Sequence, residues 1–226
     1  MADERFQDPG HPGLDDEFLK YAKKSGCRIL LIGFEAEDEK TLKSINKSLN
    51  FKFVSHYKSI IKNIHKHGIA VCGGFMIGLE NDTSEKIEKR KKFILKSKID
   101  LFVVNYFTPF PGSKLFDELQ NENRLLYTDF PNDWSKYDQW NLVFRHPSLT
   151  ADKKKFLLFQ KEMRKRRVLF LRFIRTWFNT RNLSCALYAN FYNFNHFHSY
   201  YNKKILFLWF INKWFEWKLR KYYNNR

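Results

Sequence analysis

Three short apolar runs stand out in the first 150 residues, and stretches with apolar residues at helical spacing separate them. The runs cover residues 27–34 (CRILLIGF), 69–77 (IAVCGGFMI) and 101–107 (LFVVNYF). Continuous apolar runs of this length are typical of parallel strands that are buried on both faces. The spacing of apolar residues elsewhere predicts helices over residues 15–24, 38–48, 56–67, 84–96 and 114–121.

Alternation of strands with helices predicts the type of sheet. Such a pattern forms βαβ units, in which right-handed crossovers join parallel strands. The sequence therefore predicts an α/β fold with about three parallel strands. A parallel sheet this small has two open edges, which natural proteins avoid, so we expect it to be part of a larger sheet.

Charge and aromatic content divide the chain near residue 150. Residues 151–226 contain 18 Lys and Arg, 3 Asp and Glu and 21 of the 41 aromatic residues, whereas residues 1–150 have a charge balance of only +2. The whole chain carries a formal charge of +17. We therefore predict an N-terminal segment over 1–13, an α/β domain over 14–150 and a basic, aromatic, helical tail over 151–226.

Several classes of protein are disfavoured by the sequence. The longest apolar runs have about seven residues, whereas a membrane-spanning helix needs roughly 18 or more. The polar and acidic start, MADERFQDPGHPG, does not resemble a secretory signal. Cys27, Cys72 and Cys185 are too far apart for a disulfide framework or a C-x-x-C metal pair. We expect a cytoplasmic protein, with contact to a membrane surface as an alternative.

The loops after the three apolar runs hold the residues best placed to bind a ligand. Parallel α/β folds bind ligands at the carboxyl ends of their strands. Glu35 follows the first run, the glycine-containing segment 74–83 ends the second, and the proline-containing segment 105–113 ends the third. The sequence therefore predicts a ligand site formed by these three loops.

Three segments in order resemble the radical SAM enzymes, and in particular the class with an N-terminal cobalamin-binding domain. They are S-G-C-R-I-L-L-I-G-F-E, H-G-I-A-V-C-G-G-F-M-I-G-L-E-N-D-T and T-P-F-P-G-S-K-L-F. The resemblance covers roughly residues 14–165 and implies the second half of a partial (β/α)6 barrel. It also implies three cofactors: S-adenosylmethionine (SAM), a 4Fe-4S cluster and cobalamin.

The resemblance also implies a set of cofactor-binding positions. Glu35 matches a polar residue near the SAM ribose or amino-acid group, and the glycines of the second segment match a motif that packs against the adenine. The third segment matches the exit of the last barrel strand. The implied cofactor-binding residues are Glu35, Gly74, Met76, Gly78, Asp82, Thr108 and Pro109, and no catalytic or metal-binding residue is assigned.

These residues also have purely structural explanations. Gly74 and Gly78 can be glycines that allow close packing, and Asp82 with Thr83 can form a helix N-cap. Glu35 is harder to explain structurally, because a carboxylate at a strand exit loses solvation unless it is paired or bound to a ligand. Both explanations stay open at this point.

The chain departs from the family pattern at the cluster site, since it contains no CxxxCxxC. Three thiolates from one loop are needed for the cluster, and we interpret Cys27 and Cys72 as core residues instead. His65 and His67 are interpreted as residues at a helix C-terminus. We therefore expect this chain to bind no cluster by itself, to be inactive alone, and to need a partner: an N-terminal half that carries the cluster and cobalamin domains.

The basic aromatic tail has three interpretations. Its helices can cover the α/β domain, it can lie on an anionic membrane surface, or, less favoured, it can bind nucleic acid. Two function classes follow: part of an enzyme that carries out methylation or ring formation by SAM-radical chemistry, or a non-catalytic protein that binds a membrane or nucleic acid through its tail.

Overall fold

The computed structural model of the 226-residue chain describes residues 12–45 and 48–201. Three strands form one parallel sheet in the order β1-β2-β3: β1 (Ile29–Glu35), β2 (Ala70–Ile77) and β3 (Leu101–Tyr106). The predicted α/β fold and its three parallel strands are confirmed. That the sheet forms half of a radical SAM barrel stays a prediction.

The helices follow the order that the apolar spacing predicts. They are α1 (Asp16–Lys24), α2 (Glu39–Ser44), α3 (Ser48–Phe53), α4 (Tyr57–Lys66), α5 (Ser84–Lys96), α6 (Lys114–Asn121), α7 (Lys153–Met163), α8 (Arg166–Thr180) and α9 (Leu183–Tyr201). The helix predicted over 38–48 ends early, at Ser44, and α3 is a separate helix that the pattern did not predict. The tail is helical, as predicted, over its described part.

The main core lies on one face of the sheet, under α4 and α5. Tyr57, Phe34, Phe75 and Phe93 form a series of ring contacts with centroid separations of 4.7, 5.6 and 6.0 Å. Burial of each such side chain is worth about 2 kcal/mol. Every second side chain of each strand points to this face, which explains why these residues are apolar.

The opposite face of the sheet is only partly covered. Near the amino ends of the strands, Cys185 and Ala189 of α9 pack against Ala70, Cys72 and Leu101. Toward the carboxyl ends this cover is lost, and Leu31 is 72% exposed. The tail therefore covers the α/β domain in part and leaves the carboxyl half of this face open.

Side chains of the tail bond to the outer edge of β3. Gln160 Nε2 donates to the Val104 carbonyl at 2.7 Å. Asn193 Nδ2 donates to the Asp100 carbonyl at 2.8 Å, and its Oδ1 accepts from the Phe102 N–H at 3.2 Å. The sequence pattern predicted an open edge here, but amide side chains occupy it.

A buried carboxylate joins the tail to the sheet. Asp100 is fully buried and accepts hydrogen bonds from His65 Nε2 at 2.7 Å, Thr176 Oγ1 at 2.6 Å and the Val71 N–H at 2.8 Å. Burial would raise the pKa of Asp100, but the bond and attraction from His65 and the bonds from Thr176 and Val71 outweigh it and hold the pKa below its usual value. His65 therefore has a structural role near the end of α4: it binds the buried Asp100 carboxylate.

No helix within residues 12–45 and 48–201 is long and apolar enough to cross a membrane. The predicted segment 1–13 lies almost entirely outside the described residues, as does the aromatic end of the tail, residues 205–226. The membrane and nucleic-acid interpretations of that tail end stay predictions.

Candidate functional site

A cavity of about 460 Å³ lies at the carboxyl half of the strands, on the face that α9 leaves open. All three strands, the loop after β3 and Gln139 contribute to its wall. Four of the predicted cofactor-binding residues meet there: Glu35, Gly74, Met76 and Thr108. The other lining residues are Leu31, Gly33, Phe75, Val103, Asn105, Tyr106, Phe107, Phe110 and Gln139.

The floor of this cavity lacks side chains at its centre. Gly33 of β1 and Gly74 of β2 are partners in the strand register, with Gly74 next to Val103. A Cβ on Gly33 would lie 2.8 Å from the Glu35 carboxylate, so that space is already taken. A Cβ on Gly73, which points to the opposite face of the sheet, would lie 2.9 Å from the Ile99 side chain. Only Gly74 thus leaves the backbone open to the close approach of a flat group, because the Glu35 carboxylate lies over Gly33.

Glu35 owes its position to an irregularity at the end of β1. The strand register shifts between Gly33 and Glu35, and Glu35 has a φ of +63°. Bulges of this kind redirect side chains and are frequent next to functional sites, while a left-handed non-glycine residue costs roughly 1–3 kcal/mol. Glu35 is 8% exposed and lines the cavity. The backbone strain therefore serves to place a carboxylate against the Gly33 floor.

Asn105 supplies a second acceptor at the cavity. Its Nδ2 donates to Gln139 Oε1 at 2.7 Å, and its buried Oδ1 has no hydrogen-bond partner among the described residues. Thr108 Oγ1 is engaged, because it donates to the Tyr106 carbonyl at 3.1 Å. A buried acceptor without a donor carries an energetic penalty of about 1–3 kcal/mol, and a ligand donor would relieve it.

The sequence contained a signal for Asn105 but none for Gln139. Asn105 is the polar residue inside the apolar run LFVVNYF, and a buried strand that tolerates an amide needs a partner for it. Gln139 reaches the site from the segment after α6, where its φ is +64° and its carbonyl accepts from the Tyr106 N–H at 2.8 Å. Nothing in the local sequence predicts this long-range pairing between Gln139 and Asn105.

Gly78, Asp82 and Pro109 also follow strand ends but are not among the residues that line the cavity. Gly78 has a φ of +80°, and a Cβ there would lie 3.2 Å from Leu142 and Tyr106. This position requires glycine for structural reasons. The cofactor-binding role of the three residues stays a prediction, and the structure gives two of them, Gly78 and Asp82, another task.

Asp82 takes part in a buried ion pair. Its two oxygens accept from Arg90 Nη1 and Nη2, each at 2.9 Å, and Oδ2 accepts from the Leu79 N–H at 3.1 Å. Both side chains are fully buried. Thr83, not Asp82, caps α5, since its Oγ1 accepts from the Lys86 N–H. Asp82 therefore acts first as the counter-ion of Arg90.

Arg90 ties together the loops that frame the rim. Besides Asp82, it donates to the Met76 carbonyl at 2.6 Å and to Glu37 Oε2 at 2.7 Å. Burial opposes its charge, but the bonds and attraction of Asp82 and Glu37 prevail and raise its pKa. In the sequence Arg90 is one cation among many in EKRKK, so nothing local distinguishes it from the lysines beside it.

The described residues contain no group of three or more His, Cys, Asp or Glu that could hold a metal ion. Burial raises the pKa of the Cys72 and Cys185 thiols to about 11, whereas cluster ligands are thiolates. Cys27 is half-buried and its Sγ donates to the Ile29 carbonyl. A 4Fe-4S cluster therefore does not fit the cysteines of this part of the chain.

Comparison with known proteins finds methyltransferases and cyclases. The chain is 33% identical over 151 residues to bacteriochlorophyllide d C-12(1)-methyltransferase of Chlorobaculum tepidum, covering 66% of this chain and 31% of the relative. It is 31% identical over 113 residues to hopanoid C-2 methylase of Rhodopseudomonas palustris, covering 50% and 21%. It is 28% identical over 136 residues to anaerobic magnesium-protoporphyrin IX monomethyl ester cyclase of Cereibacter sphaeroides, covering 60% and 21%.

These similarities extend over only part of each relative. The chain spans less than a third of the length of the three proteins named. No protein-family model matches it. The relatives are consistent with the radical SAM superfamily over the matched part of the chain, and the cobalamin class stays a prediction.

Proposed function

We propose that this chain supplies one wall of the SAM-binding site of a radical SAM-type methyltransferase or cyclase. The observation that carries the proposal is the cavity at the carboxyl half of three parallel strands, where the Glu35 carboxylate, lying over Gly33, and Asn105 flank the open floor at Gly74. The similarity to methyltransferases and cyclases supports it independently of the geometry.

The chemistry of the cavity suits the groups that SAM carries. The open floor at Gly74 and the apolar Met76 accommodate a flat aromatic group such as adenine. The ribose hydroxyls and the ammonium group of SAM are hydrogen-bond donors. They match the Glu35 carboxylate and the unpaired Asn105 Oδ1, because a buried acceptor is stabilised by a donor.

The 4Fe-4S cluster and cobalamin belong to the proposal only through the family. In radical SAM enzymes the cluster reductively cleaves SAM. The described residues offer no donor set for it, so we assign the cluster to protein outside this chain. An N-terminal half that carries the cluster and the cobalamin domain is the partner that we propose.

The class of substrate follows from the named relatives. They act, by their names, on a bacteriochlorophyllide, a hopanoid and a magnesium porphyrin ester. We propose methylation or ring formation on an extended, hydrophobic substrate. The substrate side of the cavity would be the exposed Leu31 and Phe110, which are 72% and 46% exposed.

Direct measurement of SAM binding tests the proposal. We expect ligand-observed NMR with the full chain and millimolar SAM to detect binding, and Glu35→Gln to weaken it about 10- to 100-fold, the value of a charged hydrogen bond. Glu17→Gln, an exposed position on α1, is the matched control and should leave binding unchanged. A folded chain that binds no SAM, or binds equally with and without the Glu35 carboxylate, would contradict the proposal.

A further inference from the structure

A second, larger cavity of about 950 Å³ lies at the opposite end of the strands, where they begin. Gly68 precedes β2, Ser97 and Lys98 precede β3, and all three residues line it. Six lysines, Arg181, His65 and His67 also contribute to its wall, and no carboxylate belongs to the lining. The cavity has no part in the proposed SAM site.

Helix ends explain only a fraction of this positive charge. α1, α4, α5 and α8 all end near the cavity, at Lys24, Lys66, Lys96 and Thr180. Each helix C-terminus carries about half a negative charge, so the four ends amount to roughly −2 against seven Lys and Arg side chains. Most of the charge at this edge therefore has no counterpart in helix dipoles.

The nearby carboxylates do not neutralise the rest. Asp100 is buried and already bonded to His65 and Thr176. Asp16 is 62% exposed and reaches Lys66 Nζ only at 3.7 Å. Such exposed pairs contribute little. The cavity thus presents an unbalanced cationic wall, which suits a polyanionic or phosphate-bearing ligand.

An exposed apolar stripe on α8 leads to the rim of this cavity. Phe170, Leu171, Trp177 and Phe178 are 61%, 57%, 43% and 71% exposed. With the half-buried Ile174 they occupy one face of the helix at i, i+1, i+4, i+7 and i+8. Phe178 itself lines the cavity, so the apolar stripe and the cationic wall are continuous.

The orientation of α8 is fixed by polar contacts on its inner face. Arg172 Nη2 donates to the Ile94 carbonyl at 2.8 Å, and Thr176 Oγ1 donates to Asp100 Oδ1. Arg172, Thr176 and Thr180 are all buried. Because rotation of the helix would break these buried bonds, the apolar face stays directed outward. This polarity is the reverse of that of an ordinary surface helix.

We propose that this edge of the protein is a membrane-binding surface: the basic cavity receives the phosphate headgroup of an anionic lipid while the apolar stripe of α8 enters the headgroup boundary. Each basic residue near an anionic surface raises the affinity about fivefold, and salt screens this attraction. Salt does not screen the contribution from apolar side chains that enter the membrane. A nucleic acid or a soluble phosphate would use the cavity but leaves the apolar stripe without a role. The stripe therefore favours lipid.

Vesicle flotation of the full chain tests the proposal with matched variants. The cavity variant is Lys58→Gln/Lys62→Gln/Lys98→Gln, and the control is Lys92→Gln/Lys114→Gln/Lys161→Gln, which removes the same charge from exposed positions outside the cavity. We expect binding to vesicles of phosphatidylcholine with phosphatidylglycerol, and little to phosphatidylcholine alone. The cavity variant should bind about 100-fold more weakly, and the control less than tenfold more weakly.

A second variant separates insertion from charge. Phe170→Gln/Phe178→Gln should abolish the part of the binding that survives high salt, whereas Leu31→Gln/Phe110→Gln, on the other cavity, should not. Equal losses in the two lysine variants would overturn the proposal in favour of net charge alone. It is also overturned if single-stranded DNA or inorganic pyrophosphate displaces the vesicles and the Phe variant binds normally. A lowered thermal midpoint of the Phe variant without lost binding would show instead that the chain itself covers the stripe.

Discussion

The buried ion pair between Asp82 and Arg90 allows a sharp test of whether Asp82 is a structural or a ligand-binding residue. Asp82→Asn keeps the shape but removes the charge, and it leaves Arg90 fully buried with Glu37 as its other described carboxylate partner. Removing one member of a buried pair costs about 3–5 kcal/mol. With roughly 2–4 °C per kcal/mol for a chain of this size, the thermal midpoint should fall by about 10 °C.

A double-mutant cycle gives this prediction its control. Arg90→Met leaves the Met76 carbonyl without its donor, so it is expected to destabilise by itself. The pair Asp82→Asn/Arg90→Met should nevertheless be no less stable than Asp82→Asn, a coupling of about 2 kcal/mol. Asp117→Asn, on the exposed first turn of α6, should change stability by less than about 0.5 kcal/mol.

Urea unfolding followed by circular dichroism measures these differences. If Asp82 is a structural residue, folded Asp82→Asn should bind SAM with an affinity within about twofold of the parent. A twofold change in affinity is smaller than the loss of any charged hydrogen bond would cause. A stability loss under about 1 kcal/mol, additive effects in the cycle, or a loss of SAM affinity equal to that of Glu35→Gln would each show that Asp82 faces a ligand.

Three further predictions address other parts of the molecule. Because the pKa of Asp100 is lowered in the folded state, its contribution to stability is present above about pH 4 and is lost as the pH falls further; urea midpoints across this range should fall less steeply in Asp100→Asn. Gly78→Ala should cost about 1–2 kcal/mol, since a left-handed φ is unfavourable for alanine, and a midpoint equal to that of the parent would contradict this. Anaerobic reconstitution of the full chain should yield no thiolate-ligated cluster, and stoichiometric iron with cluster absorption would refute that expectation.

The local sequence pattern was sufficient to predict the strands and most helices. Each apolar run lies within one residue or two of an observed strand. One face of the sheet is buried under α4 and α5 and the other is covered in part by α9, and this burial favours continuous apolar sequence. Parallel topology brings the carboxyl ends of all strands to the same end of the sheet. For this reason four of the predicted residues line one cavity: Glu35, Gly74, Met76 and Thr108. That part of the candidate site could be predicted from order and spacing.

The rest depended on contacts between residues distant in sequence. Arg90 is buried while the nearby Lys89 and Lys92 are exposed, and only the fold decides which cation meets Asp82. Gln139 reaches Asn105 across 34 positions, and Asn193 reaches β3 across 91 or more. Neither pairing has a periodic signal, so neither was predicted.

The two edges of the sheet differ in the bonds that they already make. At β3, Gln160 and Asn193 occupy the groups that a neighbouring strand would use. At β1, the described side-chain bonds go to carbonyls: Cys27 Sγ donates to that of Ile29, and Asn50 and Tyr57 donate to those of Gly33 and Phe34 near the carboxyl end of the strand. In the radical SAM barrel that we propose, a preceding strand would pair with β1. The β1 edge is therefore the more accessible one for added strands.

This asymmetry leads to a prediction about assembly, which rests on the proposed function. If an N-terminal half of a radical SAM barrel adds to the sheet, the amides of Ile29 and Leu31, which point away from β2, should gain protection from hydrogen exchange on mixing the chain with such a half. The Phe102 amide, which already donates to Asn193, should not change. Because amides exchange only when their bonds open, new protection confined to β3 would place the added strands at the wrong edge and would refute the barrel assignment of β1.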